Sequence, residues 1–338
     1  MQAARLVMVA LLTLGAIEAG LAQRTGQDTP GLEVIKVRPA FHVIAGAGGN
    51  IGVNIGSDGV IVTDGGTSAA AAGVVEEIRR LTPKRIRYII NTSDDDEHIG
   101  GNETLAKAGE SLYLRGNLGP GDTTGTTINN AGAASIVGTE NMFLRMSASG
   151  RYAVVGQPTE TFARSLKVMA LNDESIQIIH PAAAHTDGDA IVLFRQSDVL
   201  LTGDVFDMTR FPIIDVSRGG SIRGEIEVLN QLIDLAVPSI PLPWKDGGTI
   251  VVPGHGRLSQ QAELVEYRDM VTVITDRIDD MIKQGMTLDA IQRANPTKGW
   301  DRRFGSTTGP WTTAMFVEAV HKSLKVDDKR PQAQGEPR

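Results

Sequence analysis

An apolar run, Ile86 to Ile90, empties without a break into Asn91-Thr92-Ser93-Asp94-Asp95-Asp96-Glu97-His98-Ile99-Gly100-Gly101-Asn102. The run reads as a buried strand and the polar stretch as a loop that opens a helix at about Asp96. Four acidic residues and a histidine therefore sit within five positions at the carboxyl end of a strand. Open α/β sheets place their chemistry at such ends. Two readings fit: a cation site, or a helix N-terminus enriched in acid because the helix dipole favours it.

The rest of the chain supplies the sheets that such a loop needs. Phe41–Ile44, Ile51–Ile55 and Val60–Thr63, separated by Ala45-Gly46-Ala47-Gly48-Gly49-Asn50 and Ser57-Asp58-Gly59, predict a β-meander. Ala69 to Leu81 has helical composition and ends before Pro83, and Glu103 to Gly109 predicts a helix stopped by glycine. Further strands are expected at Leu166–Leu171, Ser175–His180, Ala190–Phe194, Val199–Leu201 and Ile250–Val252. Amphipathic helices are expected over Gly220 to Ala236, from Leu264 to Met281, and from Trp311 to Leu324. A β-rich start followed by alternating elements suggests two sheets covered by helices rather than one wound sheet.

Two segments stand apart. Gly116 to Gly138 is rich in Gly, Thr, Asn and Ala and carries neither helical nor strand period, so it reads as an insertion, either a disordered one or a lid. Residues 1–22 read as a signal peptide, with Arg5 as the n-region, Leu6 to Ile17 as the apolar core and Gly20-Leu21-Ala22 as the cleavage site. The apolar core is short for a membrane span, and Glu18 within the segment argues against an uncleaved anchor. An exported protein, secreted or periplasmic and free of the membrane after cleavage, is therefore expected, with a main domain over 23–324 and a polar tail over 325–338.

Export permits disulfides, yet the chain has no cysteine, which also removes thiolate ligands and thiol nucleophiles. The net charge is −7 and no dense basic run appears, so nucleic acid is not an expected partner; a small-molecule substrate is, and the oligomeric state stays open.

Each later strand also ends in a candidate ligand. Ile178–His180 leads to His185 in Ala184-His185-Thr186-Asp187-Gly188-Asp189, Val199–Leu201 leads to Asp204 after Thr202-Gly203, and Ile250–Val252 leads to His255 in Pro253-Gly254-His255-Gly256. Of six histidines, three fall in such Gly- and Thr-rich loops. Imidazole with carboxylate suits a divalent metal. Taken singly, each has a plainer reading: the histidines as caps on nearby carbonyls, Asp204 as a turn former, Asp95 and Glu97 as helix-start acids, and Ser93 as a loop hydroxyl. His42 and His180 read as core or edge strand residues, and His321 as a surface residue on a helix.

In this order the motifs resemble the metallo-β-lactamase superfamily of hydrolases. The family's His-x-His-x-Asp-His and following Gly-Gly-Asn fall on Ser93 to His98 and Gly100-Gly101-Asn102; its next histidine falls on His185, its bridging aspartate on Asp204 and its last histidine on His255. Thr63-Asp64-Gly65 is also similar to that family, and the resemblance covers roughly Phe41 to Gly256. It implies an α+β fold, a four-layer αββα sandwich, and an exported hydrolase acting on an ester, amide or phosphoester. The implied metal ligands are His98, His185, Asp204, His255, Glu97 and Asp95, with Asp95 and Glu97 also catalytic, and Asp64 and Ser93 standing behind them.

The family's first two motif histidines are Ser93 and Asp95 here, and its aspartate is Glu97. The first of the two implied sites is therefore oxygen-rich, which favours manganese, iron or another hard ion over zinc there, with one or two ions in all. The alternative implied by the same substitutions is a catalytically inactive relative that binds a metal or a ligand.

Overall fold

The computed structural model describes residues 31–112, 132–239 and 247–327. The leader, most of the Gly116 to Gly138 insertion and most of the polar tail lie outside the described residues.

Two sheets form the centre. The first has seven strands in chain order, β1 (Glu33–Arg38), β2 (Phe41–Ala47), β3 (Gly49–Gly56), β4 (Gly59–Thr63), β5 (Ile86–Ile90), β6 (Ser135–Thr139) and β7 (Glu160–Phe162). The second runs β12 (Ile250–Val252), β11 (Val199–Leu201), β10 (Ile191–Phe194), β9 (Glu174–Ile179), β8 (Leu166–Leu171).

The inner strands of both sheets are covered on both faces, which is why they are largely apolar runs, while β8, at an edge, exposes Leu166 and Val168. The alternation survives in three dimensions. In β4, Ile61 points between the sheets while Val60 and Val62 join α1 (Ala71–Leu81); in β10, Val192 and Phe194 point between the sheets while Ile191 and Leu193 join the helices of the other side. Phe41 and Phe194 meet edge to face across the middle layer at 4.8 Å. One outer layer is α1 with α3 (Asn102–Ala108); the other contains α5 (Ile222–Leu235), α6 (Gln261–Lys283) and α9 (Thr313–Asp327). The architecture is the expected mixed α/β one, two sheets between helices.

Several elements depart from expectation. The end of the supposed insertion is a buried strand, β6, which pairs in parallel with β5. With Ser135, Gly138 and Thr139 in it, the strand has only Ile136 and Val137 as large apolar residues, directly after a Gly- and Ala-rich segment, so no strand pattern stands out. α4 (Glu140–Ser149), capped by the Thr139 hydroxyl, follows it. The last helix continues to Asp327, into the expected tail. His321, expected at the surface, is buried on that helix.

Strand direction gathers the loops. β4, β5 and β6 are mutually parallel, as are β11 and β12, and β9 runs the same way because β10 is antiparallel to both β9 and β11. Register then sets heights: Thr63 pairs with Ile90, and Leu201 with Val252. Asp64, Asn91, Thr202 and Pro253 thus leave the two sheets at the same rim.

Candidate metal centre

At that rim two donor groups share one carboxylate. His98, Asp204 and His255 form the first group, and Asp95, His185 and Asp204 the second; within each, the donor atoms lie within 4.8 Å of one another.

The first group is the more enclosed. α2 (Asp96–Ile99) carries His98 into the interior, and its Nε2 lies 2.9 Å from Asp204 Oδ1. Its other nitrogen, Nδ1, lies 2.9 Å from Asp64 Oδ2. Asp64 sits at the end of β4 with φ of 66°, a left-handed backbone uncommon outside glycine. That bend lets its carboxylate accept the Thr92 amide at 2.8 Å and the Thr92 hydroxyl at 2.6 Å, tying the β4 end to the motif loop. His255 Nε2 lies 3.3 Å from Asp204 Oδ1 and 3.1 Å from Glu97 Oε1, while its Nδ1 lies 3.2 Å from the Gly48 carbonyl. Each imidazole therefore turns one nitrogen to the cluster and the other to a fixed acceptor, the arrangement that orients metal-binding histidines.

In the second group, His185 Nδ1 lies 3.1 Å from Asp189 Oδ1 and its Nε2 lies 3.4 Å from Asp95 Oδ2. Asp189 also accepts the Thr186 amide and hydroxyl, each at 2.8 Å, so Asp189 supports the ring and Thr186 in turn fixes Asp189. Asp95 occupies the N-cap position of α2 but makes no capping bond. Its Oδ1 instead accepts Arg218 Nη1 at 2.5 Å. Ser93 is fully buried, and its hydroxyl accepts the Asp95 amide at 3.2 Å, a local turn bond. Asp94 points away from the cluster to Arg145, whose Nε and Nη2 donate to its two oxygens at 2.8 Å each; the same guanidinium also bonds Asp187.

Charge follows geometry. Burial alone would push His98 and His185 down, but the surrounding carboxylates, Asp204 and Asp64 for the one and Asp189, Asp95 and Asp204 for the other, hold both well above the usual histidine range. His255 is likewise raised to about 9, burial being outweighed by Asp204 and Glu97. Burial favours protonation of Asp204, yet the imidazoles keep it well below the ordinary carboxylate range. Glu97 is lowered by the His255 imidazole beside it. Asp95 is lowered too, against its burial, by His185 and Arg218. Protonated imidazoles thus supply the positive charge that these carboxylates require when no other cation is present.

The donor chemistry fits a divalent ion. His255 Nε2, His185 Nε2 and Asp204 Oδ2 are buried without a hydrogen bond among the described residues, and all three belong to the two groups. Buried polar atoms are normally paired, so three orphans converging on one place mark a spot shaped for a cation. Glu97 and Asp95 stand at the accessible side, with about a third of each side chain exposed. Of the residues singled out in the sequence, Asp64, Asp95, Glu97, His98, His185, Asp204 and His255 are brought together. Ser93 is adjacent but engaged with backbone. Sequence reasoning missed Asp189 as a supporting residue, together with Arg145 and Arg218; Asp189, four residues after His185, was within reach of a spacing argument.

A sequence model described as the metallo-beta-lactamase superfamily matches residues 46–255. No curated protein matches the chain. Among solved structures, the stereoselective inverting sec-alkylsulfatase Pisa1 from Pseudomonas sp. superposes with a TM-score of 0.60 at 12% identity, over 86% of this chain and 49% of that one. The metallo-beta-lactamase from Pontibacter korlensis gives 0.52 at 16% identity, over 71% of this chain and 99% of that one. The DIM-1 metallo-beta-lactamase gives 0.52 at 14%, over 72% and 98%. The chain spans about half the length of the alkylsulfatase, and at these identities the likeness is one of fold.

Proposed function

Because the chain belongs to the metallo-beta-lactamase superfamily, we propose that it is an exported metal-dependent hydrolase whose ion is held by His98, Asp204 and His255, with Glu97 beside them. The observation that carries this reading is the convergence of His255 Nε2, His185 Nε2 and Asp204 Oδ2, buried and unbonded, with His255 held from behind by the Gly48 carbonyl, His185 by Asp189 and the adjacent His98 by Asp64. When bound, a divalent ion there supplies Lewis acidity toward water and toward an electron-rich oxygen of the substrate.

The chain's own groups do the rest. Asp204 and the imidazoles fix the ion's position, and Asp64 holds the His98 ring. Glu97 and Asp95, ionised and partly open to solvent, hold or pass the proton that leaves the attacking water. The substrate is a small molecule with an ester, amide or phosphoester bond; the structural likeness to an alkylsulfatase adds sulfate esters to the set worth trying. Zinc suits the imidazole-rich group, while manganese or iron suits a more oxygen-rich one. Residues 1–22 direct export to the periplasm or beyond, which the N-terminal mass of the processed protein tests directly.

A second reading, a relative that binds metal or ligand without turnover, is favoured by Ser93 and Asp95 standing where family members carry histidine. The enzyme reading requires metal, as does a relative that binds metal; one that binds only another ligand does not. After incubation of the purified protein with Zn²⁺, Mn²⁺ or Fe²⁺ and dialysis, metal analysis should find at least about one equivalent; less than about half an equivalent of every ion sinks the metalloenzyme reading. Asp204→Ala, checked for folding by circular dichroism, should lose that metal. Turnover of a panel of carboxyl, phosphate and sulfate esters and amides by the loaded protein then separates enzyme from binder.

A further inference from the structure

The two donor groups differ in how their carboxylates are already neutralised. Two arginines stand beside the second group: Arg145 takes Asp94 and Asp187, and Arg218 takes Asp95 and Asp215, while the shared Asp204 and Asp189 behind His185 pair with imidazole. Around the first, Glu97 and Asp204 pair only with histidines among the described residues.

Arg218 is held in place by the fold. Its Nε donates to Asp215 Oδ2 at 2.7 Å, and the Asp215 carboxylate accepts the Ser217 and Arg218 amides, closing a tight turn. That turn is laced to the His185 loop through backbone: Asp215 N to the His185 carbonyl at 2.9 Å and Asp187 N to the Arg218 carbonyl at 3.0 Å. A Cβ at Gly220 would lie 2.2 Å from the His185 carbonyl oxygen, so the turn approaches as closely as backbone can. The guanidinium is thereby set against Asp95, using one oxygen and leaving only the other toward His185.

We propose that Arg218 is the resident cation of the second group: the chain takes up one divalent ion, at His98, Asp204 and His255, and Arg218, fixed on Asp95, supplies the positive charge beside His185 that a second ion would otherwise bring. The physical reason is twofold. A guanidinium already paired with Asp95 removes much of the attraction that a carboxylate offers a metal, and its own charge repels an ion placed on the remaining oxygen. Ser93, with its hydroxyl turned to the Asp95 amide, adds no compensating ligand.

The inference rests on the metal-binding reading above, and stoichiometry distinguishes the two. The full chain, stripped with chelator and titrated separately with Zn²⁺ and Mn²⁺, should bind one ion by native mass spectrometry and by calorimetry. Arg218→Met should raise Mn²⁺ uptake from one ion to two, with its circular dichroism spectrum unchanged. Two ions in the unaltered chain overturn the role of Arg218 and leave the metal-binding reading standing. Zero ions overturn both. One ion in a folded Arg218→Met variant also overturns it, since the arginine would then not be what limits uptake; should that variant not fold, the count in the unaltered chain decides.

Discussion

His255 shows most directly what the cluster does to a single side chain. Its imidazole is raised to about 9 by Asp204 and Glu97, against a value near 6.5 in an unfolded chain. The protonated form is therefore the one that the metal-free fold stabilises. That contribution is fully present below about pH 6.5 and disappears as pH rises through about 9. A bound ion inverts the dependence, because a ligating imidazole must be neutral, so metal affinity strengthens over the same interval. Urea unfolding of chelator-treated protein should give a stability lower at about pH 9 than at about pH 6 by roughly 1–3 kcal/mol, with a correspondingly lower midpoint, whereas metal-loaded protein should not lose stability over that step. A metal-free midpoint that stays flat would show that Asp204 and Glu97 do not charge the ring.

At the scale of elements, the site depends on loops leaving strand ends with backbone that few residues tolerate. Gly203, between β11 and Asp204, has φ of +53°, and a Cβ there would lie 2.6 Å from the Thr92 hydroxyl oxygen, the same hydroxyl that binds Asp64. Gly203→Ala should therefore cost about 1–3 kcal/mol in urea unfolding through strained backbone and a displaced Thr92. A loss under about half a kcal/mol would mean that the loop adapts freely. Strands buried on both faces were legible because two covered faces demand apolar runs: β5, β11 and β12 have the limits expected from sequence, and so does β8, although its Leu166 and Val168 are exposed. β1 and β7 were not: β1 carries Glu33, Lys36 and Arg38 among its apolar residues, and β7 is three residues long, two of them Glu160 and Thr161. The donors were legible for a related reason: each follows a readable strand. Arg218 and Arg145 were not, because they meet Asp95 and Asp94 across 123 and 51 residues of chain, and no local pattern encodes such a meeting.

At the scale of the whole molecule, the sheets meet through one apolar layer, with Phe41, Ile61, Tyr88 and Ile90 on one side and Ile178, Val192, Phe194 and Leu201 on the other. The site lies at the rim of that layer and draws on both sides: Asp64 and His98 follow strands of the first sheet, and His185, Asp204 and His255 follow strands of the second. Neither sheet alone carries either complete donor group. This division has a kinetic meaning. An ion cannot be captured until the sheets have docked, and the sheets cannot part until it is released, so it belongs to a contact made after the folding barrier and broken before the unfolding one. Metal should accordingly slow unfolding by about the full factor that it adds to equilibrium stability while leaving the folding rate nearly untouched, as the two limbs of a chevron plot would record. A metal-dependent folding limb would instead place the ion within the folding nucleus. In the expected case the ion acts as a latch on a finished molecule, setting how long it lasts rather than how quickly it forms.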